Sequence, residues 1–321
     1  MKIICYLFTV VFSISVYAQE RFMDSVFRDI DRKTLTYYDK IDEKLKLDIF
    51  YPAEDPMEGR PLLLYVHGGG FAGGERDHPN HMAFCRKMAS KGYVTATMSY
   101  TLQMKGKSFG CDRPSPEKIQ TFLLTAQDIS RATDHLISRK EEFAIDPEKI
   151  VLLGSSAGAE AIMHAAYWRE TYKDIERQIL PNSFKYAGVV SMAGAITFDE
   201  WITEETAIPT QLFHGTCDNL VPYGYAPHHY CDASDPGYLM LHGAYSVAKR
   251  LKSLGKGFYL VTGCFGRHEW NSTPLTEHLD RITDFLYYDV MKGRKRQIHE
   301  ILDSKYETGC SDYNSFNFCE N

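Results

Sequence analysis

Six short, largely apolar runs, at residues 62–66, 93–98, 150–153, 187–192, 210–213 and 258–261, recur along this chain with stretches of helical periodicity between them. A strand with one wet face alternates apolar and polar residues, so an uninterrupted run needs cover on both faces. The intervening stretches, 78–90, 117–142, 157–172, 238–254 and 275–291, have the length and period of helices. Strands alternating with helices of this size predict an α/β fold, a mostly parallel sheet with helices on both sides. Ahead of them, residues 34–40 and 44–52 alternate like two paired antiparallel strands, which makes eight strands in all. With no internal repeat and no linker, residues 19–292 are expected to form one domain, followed at 293–321 by a basic helix end and a cysteine-bearing tail.

Composition removes some classes of partner. Hydrophobic residues at 44% are enough for a sizeable core, and a formal charge of −6 gives no footprint for nucleic-acid phosphates or an anionic membrane surface. The local basic cluster of Lys292, Arg294, Lys295 and Arg296 reads as a solvated helix end. At the other end, Lys2, the apolar run 3–12, and the small residues Val16 and Ala18 read as a secretory signal peptide, residues 1–18, cleaved after Ala18. The run is too short to cross a hydrocarbon core of about 30 Å, so a secreted or periplasmic protein with no stable membrane anchor is expected. Cys5 would leave with it. Seven cysteines then remain, free to oxidise in an exported chain, and their odd number leaves at least one unpaired. The spacing of Cys310 and Cys319 suggests a local bridge, and Cys217 is a candidate to pair with Cys264 or Cys231. His78 and His81 form an HxxH without further ligands nearby and read as surface histidines, so no metal site is expected.

Open parallel sheets bind their ligands beyond the carboxyl ends of the strands. The run 150–153 leads into Gly154-Ser155-Ser156-Ala157-Gly158, a G-x-S-x-G turn directly before a helix. Such a sharp turn leaves no room for side chains beside the serine and stands Ser156 Oγ above the sheet. The pentapeptide alone is a weak signal; its strand, turn and helix setting strengthens it. The run 62–66 delivers His67-Gly68-Gly69-Gly70-Phe71, whose glycines let backbone N–H groups approach a developing negative oxygen. A serine alcohol needs a base, and the base an orienting acid. The run 210–213 ends in His214-Gly215-Thr216-Cys217-Asp218, offering Asp218 as acid, and 258–261 leads to a glycine-flanked His268, offering the base. His214, His228 and His229 are the rivals for that base; His214, four residues before Asp218, reads as structural. The chain order Ser156, Asp218, His268 is that of the hydrolases built on α/β sheets.

With these motifs the chain resembles the HGGG-type carboxylesterases and lipases of the α/β-hydrolase superfamily over about residues 40–290. The resemblance implies Ser156 as nucleophile, His268 and Asp218 as its partners, and an oxyanion hole made by the N–H groups of Gly69, Gly70 and Ala157. Ser155 stands where close relatives of hormone-sensitive lipase have an aspartate, and the acid motif Asp218-Asn219-Leu220-Val221-Pro222 differs from theirs. The combination is more similar to secreted bacterial esterases that remove acetyl or feruloyl groups from plant polysaccharides.

A secreted serine carboxylester hydrolase acting on short-chain or carbohydrate-linked esters is therefore expected, with no metal or organic cofactor needed for acyl transfer. Its specificity should lie in loops. Loop 222–236, with Tyr223 and His228, and loop 101–116 are candidate walls, while Phe71 and Trp270 flank the reactive residues in sequence. A long amphipathic lid of the lipase kind is not evident, which favours small-molecule or polysaccharide esters over triglyceride. Two other readings share the fold: a serine peptidase of the prolyl oligopeptidase type, and a binding protein on an inactive hydrolase scaffold. The HGGG turn disfavours the first and the complete Ser, Asp, His set the second.

Overall fold

The computed structural model describes residues 19–40, 43–168, 179–303, 310 and 316–319, so the expected signal segment 1–18 lies outside the described residues. Strands β1 (Ile30–Asp39) and β2 (Lys44–Pro52) form an antiparallel pair, and β2 also pairs antiparallel with β4 (Val94–Met98). From β4 onward all neighbours are parallel, through β3 (Arg60–Val66), β5 (Ile145–Ser155), β6 (Gly188–Met192), β8 (Thr210–Gly215), β11 (Phe258–Gly263) and β12 (Gln297–Leu302). The order is β1-β2-β4-β3-β5-β6-β8-β11-β12.

The sheet thus has nine strands where the sequence suggested eight, and the additional one, β12, lies inside the segment read as a helix end and tail. Gln297–Leu302 alternates exposed and half-buried residues as an edge strand does, so a search for continuous apolar runs passes over it. Its half-buried Glu300 is held by Arg281 and Tyr259, and His299 Nε2 meets Thr262 Oγ1 at 2.8 Å.

Period two explains the apolar runs. Leu62, Leu64 and Val66 pack on one face with Phe122 and Ile129 of α2 (Ser115–Ile137), Ile162 of α4 (Ala157–Tyr167) and Val247 of α5 (Ala244–Ser253). Leu63 and Tyr65 pack on the other with Phe84 and Met88 of α1 (Pro79–Ser90) and Ile282 of α7 (Leu279–Phe285). Each such side chain removed from water contributes about 1.5–3 kcal/mol, and on a doubly covered strand every position contributes. Among the described residues no helix is long and apolar enough to cross a membrane.

Some helices are shorter than their apolar period suggests. The stretch 117–142 divides into α2 and α3 (Lys140–Phe143), and 275–291 divides into α6 (Pro274–Glu277), α7 and a π turn, Leu286–Met291. The stretch 238–254 opens as a strand, β10 (Met240–Gly243), in a small antiparallel sheet with β7 (Ala195–Ile196) and β9 (Tyr225–Pro227). The last residues of the expected helix 157–172 fall outside the described residues.

Candidate active site

Ser156 stands between β5 and α4 at φ 50° and ψ −124°, a left-handed conformation that strains a residue with a Cβ. Several contacts hold it there. Ser156 N–H donates to Met192 O at 2.8 Å, and its carbonyl accepts from Glu160 N–H at 2.9 Å. Gly158 lies so close under β3 that a Cβ there would be 2.2 Å from Val66 O. The glycines around the serine are required by backbone contact.

The His67 turn lies against this elbow. The His67 ring stacks on Tyr100 with centroids 4.4 Å apart, its Nδ1 meets Gly68 O at 2.7 Å, and Tyr100 donates its hydroxyl hydrogen to His67 O at 3.0 Å. Gly69, at φ +119°, accepts through its carbonyl from the N–H groups of Ala72 and Gly73. Gly69, Gly70 and Ala157 line one cavity with Ser156, and their own N–H groups have no hydrogen-bond partner among the described residues.

The three candidate residues come together from three strand ends. Ser156 Oγ is 2.8 Å from His268 Nε2, and His268 Nδ1 is 2.8 Å from Asp218 Oδ2. With Asp218 accepting from Nδ1–H, Nε2 is left as the acceptor facing the serine hydroxyl. Asp218 Oδ1 accepts from the N–H groups of Leu220 and Val221 at 2.9 and 3.0 Å. Burial alone would raise the Asp218 carboxyl; hydrogen bonds from His214 and His268 outweigh it and hold the group well below the usual carboxylate range. His214, fully buried, places Nε2 3.2 Å from Asp218 Oδ2 and 3.1 Å from Val221 O, so it acts on the acid and stands apart from the serine.

The acid and base loops are tied twice. Thr216 N–H donates to Gly263 O and Cys217 N–H to Gly266 O, at 3.0 and 2.7 Å. The tail adds a covalent tie, because Cys217 bonds Cys310 and Cys264 bonds Cys319, with Cα separations of 4.9 and 5.4 Å. The local bridge expected between Cys310 and Cys319, and the pairings of Cys217 with Cys264 or Cys231, are therefore replaced. Backbone hydrogen bonds already join the two loops, and their cysteines instead take the tail. Cys111 and Cys231 bond loops 101–116 and 222–236 together, and among the described residues buried Cys85 is left as the free thiol.

Of the residues expected to meet substrate, His228 lines the cavity; Phe71, Tyr223 and Trp270 do not. Phe71 is buried against Tyr100, Phe109 and Phe122. Tyr223 is buried under the acid loop with its hydroxyl 2.6 Å from Thr262 Oγ1. Trp270 fills the space that a Cβ at Gly263 or Gly266 would need, so it shapes the base loop. Adjacency in sequence placed these three near the serine, but bulky apolar rings there bury themselves beneath the loops. Loops 101–116 and 222–236, expected as walls, contribute Phe109 and His229 to the lining, while the sequence reading missed Glu160, Leu220 and Asn271, which also line the cavity. A signal existed for Glu160, an acid in an otherwise apolar helix four residues after Ser156 and hence on the same face.

The chain matches BD-FAE over residues 47–246, well over half its length. Among relatives, gut esterase 1 of Caenorhabditis elegans is 26% identical over 51% of this chain, and fumonisin B1 esterase of Sphingopyxis macrogoltabida is 30% identical over 37% of it. The chain spans only 28% and 22% of the length of these two relatives. In structure it is similar to Thermogutta terrifontis esterase 2, with TM-score 0.57, 18% identity, and coverage of 81% of this chain and 92% of that one. A carbohydrate esterase from gut microbiota, in truncated form, gives TM-score 0.57 and 14% identity, covering 84% of this chain and 98% of the other. The nine-stranded sheet, the likeness of fold and the family match together establish that the chain belongs to BD-FAE, an α/β-hydrolase esterase family.

Proposed function

We propose that this chain is an exported serine carboxylester hydrolase, acting on short-chain or carbohydrate-linked esters such as acetyl and feruloyl groups. The observation that carries this reading is the 2.8 Å contact of Ser156 Oγ with His268 Nε2, backed by the 2.8 Å contact of His268 Nδ1 with Asp218. Membership of an esterase family and the esterase names of its relatives support the bond type. The carbohydrate esterase of like fold supports, at the level of analogy, the sugar-linked class. Export rests on the signal pattern of residues 1–18, and three disulfides suit an oxidising compartment.

In this mechanism His268 Nε2 takes the Ser156 proton as Oγ attacks the ester carbonyl. Asp218 keeps the proton on Nδ1 and stabilises the imidazolium that forms. The N–H groups of Gly69, Gly70 and Ala157 receive the tetrahedral oxyanion, each such donor lowering the barrier by about 3–4 kcal/mol. His268 then protonates the leaving alcohol, and water repeats the cycle on the acyl-enzyme.

The test is hydrolysis of p-nitrophenyl acetate, p-nitrophenyl butyrate, methyl ferulate and acetylated xylan by wild type and Ser156→Ala. Ser156→Ala is expected to lose activity by about 10⁶-fold, as removal of a triad nucleophile does, while keeping its circular dichroism spectrum. Retained activity in that variant overturns the assignment. Labelling of the wild type by paraoxon, which phosphorylates the Thermogutta esterase, separates an active hydrolase from a binding protein on the same scaffold.

A further inference from the structure

The cavity over Ser156, about 340 Å³ in volume, has a polar feature that the triad chemistry leaves unused. Glu160, one helical turn beyond Ser156 on α4, and His228, on the loop following the acid, both line it while being 2% and 1% exposed. His228 Nε2 lies 3.3 Å from Glu160 Oε1, yet among the described residues neither Glu160 Oε1 nor His228 Nδ1 has a hydrogen-bond partner. Leaving a buried polar atom unsatisfied costs about 1–3 kcal/mol, so two together, at the wall of a substrate cavity, call for a partner that arrives with the ligand.

The chemistry of the pair narrows that partner. Burial raises the Glu160 carboxyl well above its ordinary value against the pull of Lys118, and burial pushes the His228 imidazole well below its own. A carboxyl biased toward its protonated form and an imidazole biased toward its neutral form each present one donor and one acceptor. Lys118, itself fully buried and donating to Gly237 O at 3.0 Å, lies near enough to Glu160 to influence it and opposes a cationic ligand. An anionic ligand finds no unpaired donor charge at either group. A hydroxyl, which donates and accepts at one oxygen, satisfies both, and a methylene satisfies neither.

We propose that Glu160 and His228 form a hydroxyl-recognition subsite, so that the preferred ester carries a free hydroxyl next to its scissile group. This rests on the ester-hydrolase reading above and deepens it, with Glu160 and His228 as specificity-determining residues. A monoacetylated sugar ring, with a hydroxyl beside the acetate, has this chemistry on the alcohol side; a hydroxy acid ester has it on the acyl side.

Two matched pairs of esters separate these sources. Cyclohexyl acetate and trans-2-hydroxycyclohexyl acetate differ by one alcohol-side hydroxyl, and methyl butyrate and methyl 3-hydroxybutyrate by one acyl-side hydroxyl. The wild type is expected to favour the hydroxylated member of one pair by about 10-fold or more in kcat/KM, the size of a buried pair of groups satisfied or left unsatisfied. Glu160→Met should bring that ratio close to one, and Glu160→Gln, whose amide still donates and accepts, should keep most of it. His228→Phe provides the same measurement should Glu160→Met fail to fold. A wild-type ratio near one in both pairs, or a ratio unchanged in Glu160→Met and His228→Phe, overturns the proposal. Failure of the underlying reading has a different signature: wild type would then hydrolyse none of the four esters faster than Ser156→Ala.

Discussion

Asp218 shows how much a single side chain depends on its surroundings. It accepts from two backbone N–H groups and from His268, with His214 Nε2 within 3.2 Å, and the sum keeps it ionised although it is fully buried. Replacing Asp218 by Asn would put a donor where His268 needs an acceptor, turn the imidazole to the wrong tautomer, and lower kcat by about 10⁴-fold with little change in KM. Steady-state kinetics on p-nitrophenyl acetate measures this. His214→Ala should cost less, because His268 and the two N–H groups remain; a loss equal to that of Asp218→Asn would show that His214 has a larger part. The grouping of Ser156, His268 and Asp218 was legible in the sequence because each follows a strand run and is fenced by glycine or a tight turn. Glu160 left only a faint signal, a lone acid on the face of AGAEAIMHAAY that follows Ser156, and that alone does not say whether it faces water or a cavity.

The elements around the site are held by the C-terminal tail as much as by the sheet. Cys310 and Cys319 reach back over 93 and 55 residues to the acid and base loops. Closing loops of that length stabilises the folded chain by about 2–4 kcal/mol per bridge, largely by restricting the unfolded one. The double variant Cys310→Ser with Cys319→Ser is therefore expected to lower Tm by several degrees in differential scanning calorimetry. Its kcat should fall far less than in Asp218→Asn, because backbone hydrogen bonds from Thr216 and Cys217 still join the two loops. The pairing was not legible because partners 93 and 55 residues apart leave no local signal of which distant segment crosses a loop. β12 escaped notice for a related reason: an edge strand needs only half an apolar pattern.

At the scale of the whole molecule, several imidazoles are buried without a proton to spare. Burial lowers the pKa of His67, His164 and His228, His164 to about 4, and all three are 1% exposed or less. In the unfolded chain each takes up a proton near pH 6.5. Below that pH the unfolded state binds more protons than the folded one, so stability falls as pH drops from about 6.5 toward 4. Asp218 is shifted in the same direction, held low by hydrogen bonds from His214 and His268 against the effect of burial, and its stabilisation, present above the ordinary carboxylate pKa near 3.9, is lost only as pH falls below it. Urea unfolding at pH 7.5, 6, 5 and 4.5 should show the free energy declining across the histidine window. His164→Gln should flatten part of that slope; an unchanged slope would remove His164 from the account.

By itself the sequence determined the parallel α/β architecture and singled out the candidate reactive residues, because both are written in local patterns. Doubly buried strands must be continuously apolar, and a serine on a sharp turn must be flanked by glycine. The tertiary structure alone decided which cysteines pair, which aromatic rings turn into the core and which polar groups border the cavity. Those outcomes depend on contacts between residues tens to more than a hundred positions apart, where chain connectivity sets no preference and only the packed fold brings the partners together.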